Sequence, residues 1–135
     1  METLESRLDD LVAELELAGD WTDRYRMLVT WGEELTPLDA GFQTPDWEVS
    51  GCSSPLWLRA VRTDGVLAVS GASPGILPKA LVALVVRVFD GLASAEGTAA
   101  SVLDRLDLRR HLSPTRFLVL ERMVNRALEA GRAAP

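Results

Sequence analysis

From Ala80 to Phe89 every residue except Arg87 is apolar. A helix of that composition has no face to offer water, so the rest of the chain must cover it on all sides. Asp90-Gly91 ends it. Pro78 sets its start, because proline lacks a backbone donor and collides with a preceding turn; the regular helix is expected to begin near Pro78 and to lie across a sheet. The longest uncharged apolar run, Ala80 to Val86, has seven residues, whereas a membrane span needs roughly 20.

Two amphipathic helices precede this segment. Leu4, Leu8, Leu11, Val12 and Leu15 recur at spacings of three and four, the period of one buried stripe. Gly19 suits a C-terminal cap, and Asp20 with Asp23 suits the start of a second helix carrying Trp21, Tyr25, Leu28, Trp31 and Leu35 and ending before Pro37. Residues 36–46 have no period and read as a loop. The pattern then turns to β: Trp47-Glu48-Val49, Leu56 to Thr63 and Val66 to Ser70, the last two flanking Asp64-Gly65, a strong hairpin signal. Ser73-Pro74 could cap the apolar helix. Residues 94–106 form a weaker amphipathic segment and 108–112 a connector. Ser113-Pro114 opens a last helix with Phe117, Leu120, Met123, Val124, Ala127 and Leu128 on one face, and Gly131 is expected to finish it. These elements predict one α+β domain over residues 1–135, a small three-stranded antiparallel sheet packed against helices from both ends of the chain.

Charge narrows the function classes. Fourteen Lys and Arg against 20 Asp and Glu give a net charge of −6, the wrong sign for neutralising nucleic-acid phosphates. The acidic start of the chain has no basic region of a secretory signal, so a cytoplasmic protein is expected. One cysteine and one histidine allow no internal disulfide and no multi-thiolate metal site.

Any special chemistry therefore falls to Cys52, placed in the turn Gly51-Cys52-Ser53-Ser54-Pro55. Two readings stand. Cys52 is a small hydrophobe tucked under a loop, or it is a presented nucleophile, with Gly51 clearing space and Ser53 and Ser54 supplying donors. A thiol of pKa about 8.5 is only a few per cent ionised at neutral pH, and donors or cations nearby raise that fraction. The single imidazole, His111, is the only base for a hydrolytic dyad and reads better as a surface side chain in a connector. Exchange at sulfur needs no dedicated base, because a thiolate leaves readily. Trp21, Trp31 and Trp57 have core-compatible spacings, and Trp47 is a candidate cover for the thiol.

The order and spacing of several motifs resemble the SufE family over about residues 20 to 130. They are Trp21, Tyr25, Gly32 and Leu35; Val49-Ser50-Gly51-Cys52-Ser53-Ser54 followed by Trp57; Gly71 and Ser73; Lys79 with Leu81; and Leu112-Ser113-Pro114-Thr115-Arg116 with Leu120 and Met123. The resemblance implies a SufE/IscU-like α+β fold and a sulfur-acceptor role. Cys52 would take persulfide sulfur from a pyridoxal-phosphate cysteine desulfurase (SufS-like) and pass it to an iron–sulfur scaffold complex (SufB-like). It implies no cofactor or metal on this chain, which would be a carrier and desulfurase activator more than a stand-alone enzyme. Gly51, Ser53 and Ser54 would support the acceptor loop, and Arg116 would favour the thiolate or an acidic partner.

The chain also departs from that pattern. Gly71-Ala72-Ser73-Pro74-Gly75 stands where the family usually has Gly-Asp-Ser-Asp-Ala, so both loop acids are missing. Gln43 replaces a usual arginine, Trp47 an asparagine, and Ala80 and Val119 glycines, the last two expected to reflect repacking. The lost acids motivate an alternative, a diverged binding module that docks on a desulfurase or scaffold and modulates it without carrying sulfur.

Overall fold

The computed structural model describes residues 2–132. In chain order it contains α1 (Leu4–Ala18), α2 (Trp21–Glu34), β1 (Trp57–Thr63), β2 (Val66–Ala72), α3 (Ile76–Phe89), α4 (Ala99–Leu106) and α5 (Pro114–Arg132), with short 3-10 turns at Ala40–Phe42 and Arg109–His111. The apolar segment is the centre. α3 contacts α1, α2, α5 and β2, and its Pro78, Leu81, Val82, Leu84, Val85, Val88 and Phe89 are buried. At the α2–α3 crossing a Cβ on Gly32 would lie 3.1 Å from the backbone nitrogen of Ala80, so the two helices approach at near backbone contact.

α3 begins at Ile76, two residues earlier than Pro78 implies. Gly75 is its N-cap, which puts proline at the third helical position, where its missing N–H is among those with no intrahelical acceptor anyway. Ser73 does not cap α3 by its position; its hydroxyl donates to the carbonyl of Pro55 at 2.8 Å. Gly131 does not finish α5 either. It lies within the helix, where an added Cβ would meet the Cβ of Ala95 at 2.8 Å; the glycine serves close packing.

Among the described residues the sheet has two strands, not three. β1 and β2 pair antiparallel from Trp57 opposite Ala72 to Thr63 opposite Val66, and Asp64 and Gly65 both have positive φ, 52° and 84°, as a tight two-residue hairpin turn requires. The segment 47–49 contributes only the bridge between Glu48 and Trp57. Its ladder stops because Trp47 N–H donates to Thr44 within a turn, while the carbonyl of Leu58 accepts from Arg126 of α5 at 2.9 Å. The outer rim of β2 is occupied as well: Leu67 exchanges hydrogen bonds with Leu92 and Gly91, Val69 N–H donates to the Asp90 carboxylate, and Leu38 N–H donates to Gly71. No helix among the described residues is long and apolar enough to cross a membrane.

Candidate functional site

Cys52 sits, half-buried, in the loop joining the Glu48 bridge to β1. It lines a cleft of about 730 Å³ whose walls come from its own loop, from Ile76, Leu77 and Pro78 at the start of α3, and from Ser113, Thr115, Arg116 and Val119 at the start of α5. Two helix N-termini therefore open on one cleft. Their dipoles favour negative charge there, and Arg116, exposed at the mouth, adds a full positive charge. Ile76 is 71% exposed at the same rim, so the mouth presents an apolar lip beside a cation.

The loop is fastened at both ends. At its entry Arg122 Nη1 donates to the Ser50 carbonyl at 2.8 Å and lies 3.1 Å from the Ser50 hydroxyl. At its exit Ser73, buried, holds the Pro55 carbonyl and accepts from Gly75 N–H at 3.3 Å. Gly51 has φ +104°, and a Cβ there would lie 2.8 Å from Arg122 Nη1 and 3.4 Å from Val119 Cγ2. Glycine is thus required by the left-handed backbone, and a Cβ there would also displace the flexible tip of Arg122 from the loop. One turn further along α5, Arg126 Nη1 bridges the carbonyls of Trp47 and Leu58 at 2.8 and 2.9 Å, and its Nη2 lies 3.4 Å from that of Glu48. Burial pushes the Arg126 guanidinium below its ordinary value, opposed by Glu129; three carbonyl acceptors compensate the desolvation.

Gly51, Cys52, Ser53, Ser54 and Arg116 thus line one cleft. Arg122 and Arg126 were not expected from the sequence, although two arginines one helical turn apart beside the apolar stripe of α5 were the available signal. Trp47 does not cover the thiol. It faces Arg59, whose guanidinium carbon is 5.7 Å from its ring centre. Trp31 is buried, but Trp21 and Trp57 are only half-buried. His111 is outside the Cys52 cleft, stacked on Trp21 with ring centres 3.8 Å apart, so the dyad has no geometric basis. Val119 is more than a repacked core position, since it forms cleft wall under Gly51. The departures Gln43, Ala72 and Pro74 share one hollow of about 410 Å³ with Trp57 and Lys79. Among the described residues no group of three or more His, Cys, Asp or Glu could hold a metal ion.

Fold and site together define a small α+β domain that presents a lone loop-borne thiol. Residues 9–130 match the family model described as SufE, Fe-S metabolism associated domain, and the chain belongs to that family. It is 31% identical over 126 residues to an uncharacterized SufE-like protein of Rhizobium meliloti, covering 88% of this chain and 90% of that one. A second uncharacterized SufE-like protein, from Rhizobium etli, is 29% identical over 133 residues, covering 93% and 89%. The solution structure of a hypothetical protein from Thermus thermophilus superposes with a TM-score of 0.69 over 93% of each chain at 18% identity, a likeness of fold.

Proposed function

We propose that this protein is a sulfur acceptor in Fe–S metabolism, taking persulfide sulfur from a cysteine desulfurase onto Cys52. The Cys52 thiolate attacks the outer sulfur of the donor's cysteine persulfide. A new S–S bond forms on Cys52, the donor's S–S bond breaks, and its electron pair leaves on the donor sulfur as a thiolate; no external oxidant or reductant enters. Delivery to a scaffold repeats the exchange with Cys52 as the leaving thiolate.

One observation carries this reading: the half-buried thiol lies on a loop that lines a cleft shared with the first turns of α3 and α5 and with Arg116. The cleft's apolar wall of Val119, Leu77 and Pro78 suits a persulfide kept from solvent. The fastened ends at Ser50 and Pro55 leave residues 51–54 as the segment that swings outward to meet the donor. Ile76 and Arg116 at the mouth are the first contacts offered to it, and the hollow holding Gln43, Ala72 and Pro74 is where partner choice would differ from relatives that keep the loop acids.

Intact-mass measurement after mixing with a cysteine desulfurase and free cysteine tests the proposal. The expected result is a gain of sulfur on the native chain and none on Cys52→Ser. A chain that accelerates the desulfurase without gaining sulfur, with Cys52→Ser equally active, would instead be the non-carrier modulator.

A further inference from the structure

The opposite end of α3 carries a second constellation that the thiol chemistry does not use. Arg59 on β1 stands opposite Ser70 of β2, so both side chains emerge on one sheet face. Its guanidinium carbon lies 4.1 Å from the ring centre of Phe42 and 5.7 Å from that of Trp47. Among the described residues it makes no hydrogen bond or ion pair within the chain, and its Nε is buried without an acceptor. Rings packed against a guanidinium fix its plane and leave its N–H edge as the free recognition element. Arg59 lines a cavity of about 510 Å³ with an apolar wall that includes Trp31, Leu35, Leu38 and Val86.

The other charges around this cavity are already engaged. Asp39 accepts from Gly41 N–H at 2.9 Å and Asp90 from Val69 N–H at 2.8 Å. Arg87 lies 3.5 Å from Glu34 and sits over the Trp31 ring. Arg59 is left as the cavity's unpartnered cation. A planar N–H fork matches a carboxylate through two parallel hydrogen bonds, and the three rim carboxylates, which oppose any anion, oppose a dianion such as phosphate about twice as strongly as a monoanion.

We propose that the Arg59 cavity is a second binding site and takes a monocarboxylate with an apolar body, the acid on Arg59 and the body against Trp31, Leu38 and Val86. The site shares no lining residue with the Cys52 cleft, so it stands apart from the sulfur-transfer reading.

Titrating the isotopically labelled full chain with sodium isovalerate, while following the backbone amide resonances of Leu38, Val69 and Val86 by NMR, tests the proposal. Isovaleramide serves as the neutral isostere, and inorganic phosphate at matched ionic strength as the dianion. The expected result is a saturable shift with isovalerate, weaker response to phosphate and none to isovaleramide. Arg59→Gln should weaken binding roughly ten- to a hundredfold, and Cys52→Ser should leave it unchanged. If Arg59→Gln fails to fold, Arg59→Lys, which keeps the charge and loses the fork, decides the matter: weakened binding supports the site. Absence of a saturable shift, equal response to isovaleramide or phosphate, or full-strength binding by Arg59→Lys would overturn it. A free-carboxylate peptide, acetyl-Gly-Leu, separates the two sources of such a group: tighter binding than isovalerate assigns a protein C-terminus and equal binding a free acid, each within the proposal.

Discussion

One guanidinium nitrogen of Arg122 reaches both the carbonyl of Ser50, at 2.8 Å, and its hydroxyl, at 3.1 Å, tying α5 to the base of the cysteine loop. Arg122 is exposed, so Arg122→Ala should cost only about 0.5–1.5 kcal/mol of stability. Its larger effect should be local. Hydrogen exchange at residues 50–54 should accelerate while that of α3 is unchanged, and equal protection of the loop in both forms would mean that the contact does not hold it.

Gly51→Ala should be worse than its size suggests. The backbone at φ +104° strains any residue with a Cβ, and that Cβ would lie 2.8 Å from Arg122 Nη1. A cost of about 1–3 kcal/mol is expected in chemical denaturation. Adding Arg122→Ala relieves the collision and leaves the backbone strain, so the double variant should lose less than the two single losses together. Full additivity would contradict the contact.

Acid should loosen the start of the chain. Glu2 receives two hydrogen bonds from Arg7, at 2.8 and 2.9 Å, and this bonding holds its carboxyl below the ordinary 4.5. A carboxyl depressed in the folded state contributes stability above its unfolded value and loses that contribution as pH falls through the folded one. The difference in Tm between the native chain and Glu2→Gln should therefore be small, present at neutral pH, and vanish on acidification below 4.5.

His111→Ala should separate packing from chemistry. Losing the ring stacked on Trp21 is expected to cost about 0.5–1.5 kcal/mol, with an altered tryptophan emission. Sulfur acceptance by Cys52 should be unchanged at temperatures where the variant is folded. Loss of acceptance by the folded variant would restore a chemical role to the imidazole.

Local rules carried the sequence reading furthest. Asp64-Gly65 encodes its own turn, and Ser113 receives the N–H of Arg116 at the start of α5. Interactions distant in sequence were opaque. The stretch Trp47 to Val49 has the composition of a strand, and its pairing ends because Trp47 N–H turns back to Thr44 while Arg126, 68 residues beyond Leu58, takes the Leu58 carbonyl that it would have met. Trp47 likewise looked free to shield the thiol, because nothing near it in the sequence announces Arg59 as its neighbour. The cleft residues could be named individually, but their convergence depends on where α3 and α5 start in space.

Because Leu92, Gly91, Asp90 and Leu38 already occupy the exposed border of β2, a foreign strand finds few vacant main-chain groups there to zip onto. Recruitment of another macromolecule along that border must then rely on side chains and loop surfaces.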